Sequence, residues 1–176
     1  LKQENVIFEP LKTLDMSRGH AAVTFESARV EVLGGRAIEP LEWDRLMYGS
    51  AVLYAWEQLG IAEAALVQAR DYALKRFAFG RPIGSYQAIK HKLASVYVKN
   101  TLARSNAYYG VWALVEGGQE LPLAASTARV AATQASVFSA EENIQTHGGM
   151  GFTWEFDCHL FYRRAKLLSL VLGSEG

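Results

Sequence analysis

The sequence predicts a mainly α protein, an antiparallel four-helix bundle preceded by a few β-strands. Three observations carry that reading. From Pro40 onward, apolar residues recur at helical spacing over four long stretches. Glycines or prolines interrupt the pattern between stretches, leaving short connections that turn successive helices back on one another. Ahead of them, residues 1–33 are richer in β-branched side chains and alternate in part.

The segment Ala22 to Val32 predicts one strand, and Val6-Ile7-Phe8 before Pro10 a second; Gly34-Gly35 ends the region. Two or three strands do not make a stable sheet alone. Residues 1–35 are therefore expected to be the last strands of a β domain, and residues 36–176 the helical bundle. The first residue is Leu1, so the polypeptide is expected to start earlier. The first helix, Leu41 to Phe77, carries Leu46, Val52, Leu53, Leu59, Leu66 and Ala73 at helical spacings. The second, Tyr86 to Glu116, carries Ile89, Leu93, Tyr97 and Leu102 and stops at Gly117-Gly118. The third, Leu123 to His147, is alanine-rich around Val130, Val137, Phe138 and Ile144, which predicts closely approaching helices. A fourth runs from Glu155 to about Leu170 after a glycine break.

The chain has 176 residues, half of them apolar and a fifth charged, which suits one large domain or a domain and a fragment. Eighteen Lys and Arg balance eighteen Asp and Glu, so charge suggests neither a nucleic acid nor a membrane surface as partner. Tyr108, Tyr109 and Trp112 have no basic stripe beside them and read as core or interface. Cys158 is the single cysteine, which excludes a disulfide framework and is compatible with a reducing compartment. It reads as a small buried hydrophobe. No apolar run reaches the length of a membrane span, and no signal-peptide pattern opens the chain. No metal site is expected. The bundle has no Glu-x-x-His pair, and Asp157, Cys158 and His159 are neighbours that point in different directions on a helix. His147 and His159 read as surface or interface histidines.

Two segments carry chemistry. Arg76-Phe77-Ala78-Phe79-Gly80-Arg81-Pro82-Ile83 ends the first helix. Gly80 permits unusual backbone angles, and Pro82 stops helix continuation. An arginine at such a corner projects a planar fork of donors that matches phosphate oxygens. Phe79 could cover an adenine or a ring edge. Gln145-Thr146-His147-Gly148-Gly149-Met150-Gly151-Phe152 ends the third helix. Glycines there let backbone amides approach a pyrophosphate, and Gln145 is both donor and acceptor. A bland reading stands beside each: a basic C-terminal turn with Phe79 in the core, and a plain helix cap with a loop. Neither segment is a Rossmann or Walker motif. The signal becomes specific when both occur in one bundle.

In that combination the chain resembles the carboxy-terminal helical domain of the acyl-CoA dehydrogenase family, preceded by the last strands of its middle β domain. The resemblance covers essentially all 176 residues. An Arg-x-x-Phe-Gly-x-Pro-(Ile/Leu) segment matches at Arg76, Phe79, Gly80, Pro82 and Ile83. A Gln-x-x-Gly-Gly-x-Gly-(Tyr/Phe) segment matches at Gln145, Gly148, Gly149, Gly151 and Phe152. In the family these segments cross a subunit interface and hold the adenosine diphosphate part of the neighbouring subunit's FAD. Gln87 falls on a flavin-contacting glutamine, and Ser174 falls where a family threonine touches the cofactor. Arg163-Arg164-Ala165-Lys166 resembles the Arg-Asp-Ala-Lys segment that follows. The resemblance implies FAD as cofactor, an acyl-CoA substrate, a homologous subunit in a hetero- or homotetramer, and an electron-acceptor flavoprotein. It implies a bacterial cytoplasm, with a mitochondrial matrix as the alternative.

The pattern fails at the base. Such enzymes take the α-proton of an acyl thioester with a carboxylate while a β-hydride moves to the flavin. Most members carry a glutamate nine residues after the arginine of Arg-Asp-Ala-Lys; here that position is Leu172, followed by Gly173. A minority carry it on the first helix, which here is Ser50, followed by Ala51. Leucine cannot accept a proton, and serine needs an activator. Asp44, Glu57 and Glu63 on the first helix read as solvated or structurally paired, Glu155 as paired with an arginine, and Glu175 as a shifted candidate. The expectation is a subunit that keeps flavin-holding residues and lacks a catalytic residue of its own, as in family hetero-oligomers that divide these tasks, including mycobacterial ones acting on steroid side chains. The alternatives are a self-sufficient homotetrameric dehydrogenase or oxidase with an unconventional base, and a non-catalytic helical scaffold.

Overall fold

The computed structural model describes residues 5–31 and 39–173, without the side chains of Pro40 and Leu41. The Gly34-Gly35 break, the boundary between residues 35 and 36, Ser174 and Glu175 lie outside these residues. Strands β1 (Val6–Leu11) and β2 (His20–Phe25) form an antiparallel pair in which Phe8 faces Val23. Four α-helices follow: α1 (Pro40–Lys75), α2 (Gln87–Glu116), α3 (Leu121–His147) and α4 (Cys158–Leu170). The mainly helical architecture with a few leading strands is as the sequence predicts.

Local chemistry sets most boundaries. The Glu39 backbone N–H donates to the Glu42 side chain at 3.1 Å as part of a capping box that opens α1. Gly117, in the left-handed region at φ 70°, ends α2, and its N–H bonds back to the Ala113 carbonyl. The fourth helix differs from expectation at its start. Residues 153–157 are turns and bends, and α4 begins at Cys158 rather than Glu155.

The core is built from alanine. Ala55, Ala62 and Ala69 of α1 meet a row of buried small residues on α3, including Ala128, Ala132 and Ala135. α3 is central, packed by α1, α2 and α4. Small side chains let the backbones approach, and the larger expected core residues follow a different rule. Val52 and Leu59 are buried, but Leu46, Leu53, Tyr97, Leu102 and Val130 face outward. Tyr108, Tyr109 and Trp112 are likewise exposed, not core. Helical spacing gave the right period here, but not the right face.

Polar residues fix the register of α1 against α3. Asn143 donates to the Gln68 side chain at 2.6 Å, and Thr133 to that of Gln58 at 3.1 Å. Both pairs are 75 residues apart, so α1 and α3 run parallel and their C-terminal ends share one end of the bundle. The leading segment is tied on by charge. Arg164 of α4 binds the buried Asp15 carboxylate, and bonds Glu57 of α1 at 2.9 Å. Burial pushes the Asp15 carboxyl up, but hydrogen bonds from Ser17 and Arg164 outweigh it and hold the group below the usual carboxylate range.

Candidate functional site

The end of α1 turns sharply. The Arg76 N–H bonds the Tyr72 carbonyl at 2.8 Å, and the chain then forms a minimal hairpin of β3 (Phe77–Ala78) and β4 (Arg81–Pro82). Phe79 and Gly80 at its tip have φ of 52° and 81°. Positive φ at both central residues is what a primed type I hairpin turn requires. Glycine adopts it freely, whereas a phenylalanine there costs about 1–2 kcal/mol. Phe79 is also 97% exposed, so burial does not compensate and the core reading of this ring is wrong. The hairpin itself is strapped down: Tyr86 donates to the Ala78 carbonyl at 2.9 Å, and Arg81 lies over the Tyr86 ring at 4.0 Å. Arg76 is exposed, and among the described residues its guanidinium has no partner. Gln87 is exposed as the first residue of α2.

The end of α3 offers glycines of two kinds. Gly148 has φ 60° and ψ −137°, a conformation nearly restricted to glycine. Space is open where a Cβ would stand on Gly148 or Gly149. Gly151 is packed instead: a Cβ there would lie 2.6 Å from the Ile144 carbonyl oxygen. Gln145 is exposed, and Phe152 is 86% exposed.

The two segments meet through aromatic rings. Tyr72, one turn before Arg76, stacks on His147 with centroids 4.0 Å apart. Phe156 sets its edge against both rings, at 6.2 and 5.6 Å. The surface reading of His147 is therefore corrected: it is 5% exposed, with Nδ1 bonded to the Asn143 carbonyl at 2.9 Å. Burial pushes its pKa down, opposed by that backbone bond, so the ring is neutral near pH 7. His159 is half-buried against Trp154. Neither Tyr72 nor Phe156 was visible as a site residue in the sequence, because their partners are distant along the chain.

The first expected base position lies elsewhere, beside the neighbour of the second. Leu172 and Gly173 line an open cleft of ≈ 260 Å³ with Met47, Tyr48, Ala51 and Arg129. Among the described residues no carboxylate lines it. Ser50, next to Ala51, donates its hydroxyl to the Leu46 carbonyl at 2.8 Å, a bond within its own helix that activates nothing. Arg129 bonds the Leu168 carbonyl and, at 2.8 Å, that of Val171, so it caps α4 just before Leu172. The other acids among the described residues do not line it. Glu57 binds Arg18 and Arg164, and Glu63 binds Arg104. Asp44 is exposed. Glu155 takes a hydrogen bond from Thr153, which lowers its pKa, rather than pairing with an arginine. Burial pushes the Cys158 thiol up to about 11, and the residue is fully buried as the sequence suggested. Among the described residues no helix is long and apolar enough to cross a membrane.

A guanidinium without a partner among the described residues, a glycine turn with open space over its backbone and two exposed rings can grip an aromatic, phosphate-bearing ligand. The comparisons point the same way. The family model described as acyl-CoA dehydrogenase, C-terminal domain, matches residues 34–176. The chain is 39% identical over 167 residues to acyl-CoA dehydrogenase IpdE2 of Mycobacterium tuberculosis, covering 94% of this chain and 48% of that protein. It superimposes on the ChsE4-ChsE5 complex from Mycobacterium tuberculosis with a TM-score of 0.88 at 25% identity, over 98% of this chain and 46% of that one. A Tcur3481-Tcur3483 steroid ACAD gives the same TM-score, 0.88 at 25% identity, over 98% and 46%. The chain thus spans about half the length of these relatives.

Proposed function

The chain belongs to the acyl-CoA dehydrogenase family, and on that premise we propose that it is part of a subunit that holds a neighbour's FAD and lacks its own catalytic base. The observation that carries this reading is the cleft lined by Leu172, one of the two expected base positions, and by Ala51, the neighbour of the other, with no carboxylate lining it among the described residues. Residues 36–176 would be the helical domain and residues 1–35 the end of a middle β domain.

The residues present fit the adenosine diphosphate part of FAD. Arg76 lacks a partner of its own, and space stands open over Gly148 and Gly149. In this reading the Arg76 fork pairs with phosphate oxygens; the Gly148 N–H is already bonded to the Gln145 carbonyl, so the turn's part is to let the phosphate approach the backbone at Gly149 without a Cβ in the way. Phe79 covers the ligand's apolar face, while Gln87 and Gln145 supply neutral hydrogen bonds. Ser174 is proposed as a further contact. When bound, FAD supplies the acceptor for the β-hydride of an acyl thioester. The α-proton leaves to a carboxylate of a homologous, unlike subunit, because neither Leu172 nor Ser50 can take it. An electron-acceptor flavoprotein would reoxidise the complex. Two similar structures are named as pairs, ChsE4-ChsE5 and Tcur3481-Tcur3483, which supports a hetero-oligomer. The second is named a steroid ACAD, which extends the candidate substrates to steroid-bearing acyl thioesters.

Arg76→Ala in the co-purified complex tests the assignment. Flavin affinity is expected to fall by about tenfold or more, the loss typical of a charge-assisted pair. The melting temperature is expected to stay put, since Arg76 supports nothing else among the described residues. Unchanged flavin retention would remove Arg76 from the site.

A further inference from the structure

We propose that Tyr72 and His147 are positioning residues whose stacked rings hold the Arg76 corner and the Gly148–Gly149 turn at the separation one dinucleotide needs. The inference rests on the reading that these two segments grip a single FAD.

The contacts form a chain from one segment to the other. The Arg76 N–H is bonded to the carbonyl of Tyr72, so the Tyr72 backbone sets where the corner begins. The Tyr72 ring lies on the His147 imidazole at 4.0 Å, inclined by 27°. His147 directly precedes Gly148. A Cβ added to Gly151 would stand 3.0 Å from the His147 Cβ, so the 3-10 turn after α3 rests on this residue. Phe156 closes the stack from the segment before α4. One turn back, the Asn143–Gln68 bond at 2.6 Å holds the same two helices together. The stack is therefore the last side-chain link between α1 and α3 before each gives way to its proposed binding segment.

The imidazole is suited to this as a neutral ring. Nδ1 carries the proton, because it donates to the Asn143 carbonyl. The groups that face it are Tyr72 from α1, Phe156 from the segment before α4 and Asn143 from its own helix. Of these, only Tyr72 bears an ionisable group. No carboxylate is present among these contacts to stabilise an imidazolium. Protonation would put an unpaired charge into the stack.

The test uses the co-purified complex with four variants in this chain, reading flavin affinity by fluorescence, melting temperature, and the pH dependence of affinity. Tyr72→Leu and His147→Ala are expected to weaken flavin binding about three- to tenfold, the range of an aromatic pair. Tyr72→Phe and His147→Phe keep flat rings and are expected to bind within about twofold of wild type. Wild-type affinity should fall once pH drops through the folded-state pKa of His147, which burial holds below the ordinary imidazole range, and His147→Phe should abolish that fall. Wild-type affinity in Tyr72→Leu overturns the proposal, as does a pH profile that His147→Phe leaves unaltered. Should Tyr72→Leu or His147→Ala fail to fold, the His147→Phe profile decides. Flavin held normally by wild type and by Tyr72→Leu rejects the stack alone. A wild-type complex without flavin rejects the parent reading with it.

Discussion

The C-terminal ends of α1 and α3 and the cleft beside the end of α4 both place an arginine next to open space, and they use it differently. At the first, Arg76 is unengaged among the described residues and stands near glycines with room above them. At the second, Arg129 is spent on the carbonyls of Leu168 and Val171, and a leucine occupies the position where a glutamate is expected. Ala51 and Arg76 are 25 residues apart on α1, about 38 Å along a helix. On the proposed reading, the separation teaches that the cofactor-gripping segments and the place where a base is expected belong to independent parts of this fold. One can be kept while the other is lost, provided a second subunit supplies what is missing.

The sharpest way to break the first region without touching the second is Gly151→Ala. Its Cβ would sit 2.6 Å from the Ile144 carbonyl oxygen, too close to accommodate without a backbone shift. A loss of about 2–3 kcal/mol in stability, as for overpacked cores, is expected from chemical denaturation, with flavin lost as well. Gly149→Ala is the contrast. It meets nothing within 4 Å, so stability should change by less than about 0.5 kcal/mol. Flavin affinity should still fall, because the added methyl keeps the ligand from the backbone. A Gly149→Ala complex that binds flavin normally would remove that turn from the site.

A smaller effect follows from acid. The pKa of His147 is lowered by burial, so the unfolded chain binds the proton more readily than the folded one. The stability from this neutral ring is fully present above about pH 6.5 and is lost as pH falls below it. Melting temperature against pH should therefore slope downward through that window, and His147→Phe should flatten this part of the curve. An identical slope in both proteins would assign it to other groups. The smallest expected effect is at the second region. Asp44→Asn should leave turnover of the native complex within about twofold, since Asp44 is exposed and does not line the cleft. A collapse in turnover would make Asp44 the missing base.

The helices could be read from the sequence because period and punctuation agree: Gly117 ends α2, and Gly80 and Pro82 shape the corner after α1. The burial of individual residues could not. Leu53, Tyr97 and Leu102 have the right spacing but face outward, because closely approaching helices admit alanine in their place, Ala55 and Ala62 on α1 and Ala103 and Ala107 on α2. Arg76 and Gly148 were legible as motif positions because both segments occur in one bundle; singly, a cation or a glycine at a helix end is an ordinary cap. The stack beneath them was not, because Tyr72 and His147 lie 75 residues apart and neither has a special type or neighbour. The convergence of Leu172 and Ala51 on one cleft was hidden for the same reason. Counting along the chain gives two candidate positions for a base, and only the fold brings one of them, Leu172, beside the neighbour of the other, Ala51.

The division of labour between two subunits is tested most directly by flavin stoichiometry in the native, co-purified complex, measured from its visible spectrum together with its mass. The account predicts one flavin for every two unlike chains. One flavin for every identical chain, with turnover, would contradict it and require a carboxylate of this chain to act as the base.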